Sequence, residues 1–153
     1  MRKSSLLTVV AVLCLSMSLS SCSITRTIPA ALYKDYRTEL KKNNLVRNTK
    51  LTFLRPRLTI SVSLNVKEGA NAENEIARIL EATKAYVTVD NMSVIAKYVR
   101  WPEEIWTVTL EVTDVSSKSI FAKYRASYFA SRDAYDQSSV VIDGYKTWEE
   151  VGY

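Results

Sequence analysis

Between Arg57 and Lys67, Leu58, Ile60, Val62, Leu64 and Val66 alternate with Thr59, Ser61, Ser63 and Asn65 in a strict period of two. Only an extended strand places all five aliphatic side chains on one side of the chain, so this segment predicts a sheet with one apolar and one polar face. A second run repeats the pattern, with Trp106, Val108, Leu110 and Val112 against Thr107, Thr109, Glu111 and Thr113. Two half-apolar strands need a cover for their greasy side, and the chain offers two amphipathic helices. In residues 30–43, Leu32, Tyr33, Tyr36 and Leu40 recur at helical spacing before an Asn43-Asn44 stop. After Gly69, Asn71 is a candidate cap for a helix reaching about Lys84, with Ile76, Ile79, Leu80 and Thr83 on one face.

The remaining segments read less directly. Leu51 and Phe53 have the opposite parity to Leu58, and Pro56 cannot donate to a ladder, so a bulge or bend is expected between them. Residues 86–101 fit two patterns: Val87 and Val89 suit a strand, while Met92, Ile95, Tyr98 and Val99 also fit a helix. The β-branched and aromatic content favours strands. Trp101 to Glu104 forms a turn, Asp114 to Lys118 a hairpin loop, and Ile120 to Ala130 the return strand. On that strand Ile120, Ala122, Tyr124, Ala126 and Tyr128 face one way, and Phe121 and Phe129 the other. Val140 to Ile142 is a last short strand before an Asp143-Gly144 turn and an aromatic tail with Tyr145, Trp148 and Tyr153. The expected architecture is α+β, a mainly antiparallel sheet of about four to five strands with two helices packed on one face.

The N-terminus has a different logic. Arg2 and Lys3 precede a charge-free, mostly apolar run from Leu6 to Leu19, shorter than the roughly 20 residues a membrane-crossing helix needs. Leu19-Ser20-Ser21-Cys22 follows it, an aliphatic residue, two small residues and a cysteine. These four residues resemble the bacterial lipobox, and residues 1–23 as a whole resemble the leader of a bacterial lipoprotein. The resemblance implies cleavage before Cys22, whose thiol then carries a thioether-linked diacylglycerol. It divides the chain into a signal peptide (1–21), a lipid-anchored spacer (22–30) and one α+β domain (31–153). Acyl chains contribute about 0.8 kcal/mol per buried CH₂, so two or three of them hold a protein on a bilayer durably. Ser23 stands where an Asp would retain many Gram-negative lipoproteins in the inner membrane. The expected location is therefore the outer membrane, facing the periplasm, or the outer face of the cell membrane in a Gram-positive source.

Removing the leader changes the charge balance. The whole chain carries +5, but without Arg2 and Lys3 the remaining 132 residues carry +3. That charge is segregated: Arg26, Lys34, Arg37, Lys41, Lys42, Arg47, Lys50, Arg55 and Arg57 face only Asp35 and Glu39, so residues 26–57 sum to +7 and the rest to −4. The basic part is the part nearest the anchor, which makes Arg26, Lys34, Lys41 and Lys42 candidates for contact with an anionic bilayer surface. A solvated helix and loop would carry the same charges. An exported domain rarely meets nucleic acid, and none is expected as a partner.

Catalytic chemistry is thinly supplied. The chain has no histidine, and its two cysteines are Cys14, within the leader, and Cys22. Thiol catalysis, typical zinc sites and an imidazole proton shuttle are all left without residues. Gly69, Gly144 and Gly152 are too scattered for a phosphate-binding loop. Ser116, Ser117 and Lys118 read as hairpin-loop residues, and the pairs Glu103/Glu104 and Glu149/Glu150 diverge on regular backbone instead of converging on a substrate. Asp133 and Asp136 are too few for a calcium loop. No cofactor, metal or enzymatic activity is expected. Two non-catalytic roles remain: an anchored adaptor that docks an envelope protein through Tyr145, Trp148 and Tyr153, or a carrier for an apolar, lipid-like ligand in a cavity lined by residues such as Leu58, Ile60, Trp106 and Phe121. A tail folded back over the sheet is the plainer reading of the same aromatics, and Trp101 and Trp106 flank Pro102 as a second possible exposed patch.

Overall fold

The computed structural model describes residues 25–42, 44–66, 72–131 and 140–152. In chain order they form β1 (Arg26–Thr27), a 3-10 turn (Ala30–Tyr33) leading into α1 (Lys34–Leu40), β2 (Val46–Leu54), β3 (Arg57–Leu64), α2 (Ala72–Tyr86), α3 (Val89–Val99), β4 (Thr107–Asp114), β5 (Ile120–Ser127), β6 (Phe129–Ser131), β7 (Val141–Ile142) and β8 (Trp148–Glu150). A six-stranded sheet has the order β1-β2-β3-β4-β5-β8, and β6 pairs with β7 in a small second sheet. The fold is α+β and mainly antiparallel, with more strands than the sequence suggested. The additional ones are the short pieces β1, β6 and β8, whose two or three residues show no period.

Among the described residues the one parallel pair lies at the centre of the sheet. β3 and β4 run side by side from Arg57↔Thr107 to Leu64↔Asp114, because α2 and α3 carry the chain back to the end where β3 began. Leu58, Ile60, Val62, Leu64, Val108, Leu110 and Val112 are all fully buried on one face. Each such side chain contributes on the order of 1.5–3 kcal/mol by leaving water. The opposite face carries the serines and threonines that the alternation predicts.

The parity of Leu51 and Phe53 has a simple origin. Arg55 and Pro56, joined by a cis peptide bond, form a two-residue hairpin turn, so Leu51 faces Ile60 and Phe53 faces Leu58. Across such a turn partners must differ in parity to share a face, and both residues are buried. Pro56 needs no donor there, and its carbonyl accepts from Trp106 N at 2.9 Å. The register irregularity falls instead at Arg47, between the Val46 and Asn48 pairings.

The strand expectation for residues 86–101 is overturned: Tyr86 ends α2, and Val89–Val99 is α3. The Thr88 side chain caps it by accepting from Asn91 N at 3.2 Å. Met92, Ile95, Ala96 and Val99, at i, i+3, i+4 and i+7, form its buried stripe. It ends where Arg100 takes a left-handed conformation (φ 58°), with Trp101 N donating to Ala96 O and Arg100 N to Lys97 O. Burial of that stripe outweighs the modest strand preference of its valines.

Two further boundaries move. The strand expected over Ile120 to Ala130 breaks at Tyr128, whose carbonyl accepts from both Asp143 N (2.8 Å) and Gly144 N (3.0 Å). Ordered packing also begins before residue 31: Arg26 and Thr27 pair with Phe53 and Thr52, Ile28 is buried and Ile28 N donates to Leu51 O at 2.9 Å.

α1 and α2 lock together through aromatic and ionic contacts. Tyr36 stacks on Tyr86 (4.6 Å between centroids, 12° between planes) and shares a 2.7 Å hydrogen bond with Thr83 Oγ1. Arg78 is held by the Glu75 carboxylate (Nη2 to Oε1 2.7 Å, Nε to Oε2 3.1 Å) and donates from Nη2 to Leu40 O at 3.0 Å. That last bond caps the C-terminal end of α1, where free carbonyls need donors.

Candidate functional site

Leu19, Ser20, Ser21 and Cys22 lie outside the described residues, as do Tyr153, Asp133 and Asp136. The structure places the basic residues that follow. On α1, side chains advance about 100° per residue, so Lys34, Arg37, Thr38 and Lys41 share one face while Asp35 and Glu39 lie on the far flank. Tyr36 and Leu40 point to the core. The cationic face borders an open groove of about 340 Å³ lined by Ala30, Ala31, Lys34, Arg37, Thr38 and Lys41. The two alanines leave its floor low and apolar.

Of the four cations singled out from the sequence, two belong to this face. Lys34 and Lys41 line the groove. Lys42 pairs with Glu39 at 2.5 Å, and Arg26 reaches the other way, donating from Nη1 to Val99 O at 2.9 Å at the end of α3. Arg37 and Thr38 complete the set that sequence reasoning left incomplete. Their i+3 and i+4 spacing from Lys34 was the available signal.

Of the aromatic C-terminus, the described residues Tyr145 and Trp148 pack against the sheet and its loops. Tyr145 is only 3% exposed, tilted against Tyr128 at 5.7 Å, and its hydroxyl donates to Ile105 O. Burial drives its ionisation well above the ordinary tyrosine range. Trp148 is half-buried in β8, where it pairs with Ala126. These residues pack because the sheet's last edge, at Tyr124 to Ala126, needs a strand.

The tryptophans around Pro102 are half-buried and committed. Trp101 lies 6.2 Å from Phe53, carries the Arg55 guanidinium 5.8 Å above its ring, and donates from Nε1 to Glu104 O at 3.0 Å. Trp106 donates to Glu103 Oε2 at 3.3 Å and stands edge-on to Phe129. Leu58 and Ile60 are enclosed in the core, and Phe121 falls at the register shift of β5. The four residues proposed as a cavity lining are thus divided between the core and its margins.

Other polar groups shape turns. Asp114 Oδ2 accepts from Ser117 N at 2.8 Å, which lowers its pKa, and Ser117 Oγ bonds Ser119 Oγ at 2.6 Å. Glu149 reaches Arg125 at 3.3 Å across the β5–β8 pair. No protein-family model, curated protein or solved structure matches this chain. Among the described residues no helix is long and apolar enough to cross a membrane.

One surface had not been anticipated. Val94 and Tyr98, each 49% exposed, stand one helical turn apart on the side of α3 away from its buried stripe. An i, i+4 pair comes within contact range only on a helix, so a strand reading of that segment conceals their adjacency.

Proposed function

We propose that this chain is a lipid-anchored lipoprotein of the bacterial cell envelope, with a non-catalytic structural or adaptor role in a protein complex. The observation that carries the reading is positional: the lipobox-like Leu19-Ser20-Ser21-Cys22 ends four residues before Arg26, where β1 begins. Four residues span at most about 14 Å, so an acylated Cys22 keeps the domain against its bilayer. The domain has its own packed core and needs no disulfide, which suits a chain whose remaining thiol is used as an anchor. Outer-membrane retention facing the periplasm follows from Ser23 in a Gram-negative source, and the outer face of the cell membrane otherwise.

The adaptor reading is best supported by the Val94 and Tyr98 patch, an aliphatic and an aromatic side chain held on a rigid helix. Its test is crosslinking in intact envelopes, comparing wild type with Val94→Asp/Tyr98→Asp. Loss of one stoichiometric crosslinked species, with anchoring and folding retained, supports the adaptor role. An unchanged crosslink pattern removes α3 from it.

A further inference from the structure

The cationic face of α1 holds more information than its charge. Lys34, Arg37 and Lys41 project along one side of a short helix, and among the described residues no carboxylate pairs with any of them. Both acids of the helix lie on the far flank, where Glu39 is taken by Lys42. Thr38 stands between the cations, its hydroxyl donating to Lys34 O at 2.9 Å and its oxygen still able to accept. Arg37 lines the groove, and its Nε is buried without a hydrogen-bond partner. A row of three cations over a low alanine floor is complementary to phosphates, with room for the glycerol parts between them.

The entry of the chain selects which phosphates. From Cys22 to Ala30, the first residue of the groove, is eight residues, at most about 28 Å of chain. Part of that length is fixed by the β1–β2 pairing and by buried Ile28. We infer that this groove binds the phosphate headgroups of anionic phospholipids in the same leaflet that holds the acyl anchor. The inference rests on the anchored reading above and adds to it an orientation: α1 and the edge strand β1, which follows the anchor in the chain, lie against the membrane and β8, at the opposite edge of the sheet, faces away. Five strand spacings separate those edges, roughly 24 Å.

The test uses the full acylated protein reconstituted in two kinds of vesicle, phosphatidylcholine alone and phosphatidylcholine with a third phosphatidylglycerol. A water-soluble amine-acylating reagent is applied and each lysine followed by mass spectrometry. Acylation of Lys34 and Lys41 should slow by about fivefold in the anionic vesicles, the factor expected for one cation at a charged surface. Lys146, which precedes β8, should label equally in both. Raising the salt to about 0.5 M should restore the rate, because screening shortens the reach of surface charge. Equal labelling of Lys34 and Lys41 in the two vesicles overturns the inference while leaving the anchor intact. Protection that appears only in native envelopes also overturns it, and assigns the face to an acidic protein. A purified chain without acyl chains on Cys22 overturns the inference together with the reading beneath it.

Discussion

The Tyr145 hydroxyl donates a hydrogen bond to the backbone carbonyl of Ile105, 40 residues earlier in the chain. The bond joins the segment before β8 to the segment before β4, and both residues are buried. Tyr145 holds a left-handed backbone (φ 66°), which costs a non-glycine residue on the order of 1 kcal/mol and persists only because the ring is packed and bonded. Tyr145→Phe should keep the ring and leave the Ile105 carbonyl without this donor. We expect a loss of about 1–2 kcal/mol in urea unfolding. A loss below about 0.3 kcal/mol would show that the bond is replaced by solvent.

Two stacked tyrosines make a sharper contrast. Tyr36 has a hydroxyl partner in Thr83, whereas the Tyr86 hydroxyl is buried with no partner among the described residues. Tyr36→Phe should cost about 1 kcal/mol, and Tyr86→Phe should be neutral or stabilising. Equal effects in chemical denaturation would contradict the assigned hydrogen bonding.

The same burial sets an alkaline limit. Desolvation pushes Tyr86 up to about 12 and moves Tyr36 and Tyr145 further upward, so the folded state disfavours their ionised forms. Their contribution is fully present below the unfolded tyrosine value near 10 and is lost as pH rises beyond it. The share of tyrosinate absorbance that comes from Tyr36, Tyr86 and Tyr145 should therefore appear in one cooperative step, coincident with loss of circular dichroism above about pH 11. Smooth ionisation of all nine tyrosines before any unfolding would contradict this.

Asp143 behaves in the opposite sense. Its two oxygens accept from Thr147 N (2.9 Å) and Thr147 Oγ1 (2.8 Å), which lowers its pKa below the ordinary carboxylate value. The stabilisation is present above about pH 4 and declines as pH falls through the lowered folded value. The Tm gap between wild type and Asp143→Asn should be constant from neutral pH to about 5 and narrow below 4. A gap independent of pH would rule out the carboxylate as its cause.

Arg78 bridges Glu75 to the end of α1. Glu75 is 5% exposed, and removing Arg78 takes from its buried carboxylate the cation that holds it. Arg78→Ala should cost about 2–4 kcal/mol and loosen α1 first, seen as faster hydrogen exchange at Lys41 and Lys42 than at the β3–β4 core. Uniform acceleration would instead indicate global destabilisation.

What the sequence made legible follows from how many residues carry each signal. β3 and β4 are long, half-buried strands, and their alternation was unmistakable. β1, β6 and β8 are too short for a period, and their pairing depends on distant partners such as Phe53 and Tyr124. α3 was obscured because valine and isoleucine serve helix and strand alike. Its cap at Thr88 and its buried stripe decide the matter only when tertiary burial is known. For the candidate site, the basic charge of α1 was visible, but its division into a paired flank and an unpaired face required knowing which side Tyr36 and Leu40 bury.

The proposal as a whole depends on Cys22. Intact-mass spectrometry of the protein extracted from its native membrane reads the anchor directly. The prediction is a chain beginning at Cys22 and heavier than residues 22–153 by a diacylglycerol, with or without a further acyl chain. A chain of unmodified mass, or one beginning at any other residue, would contradict it.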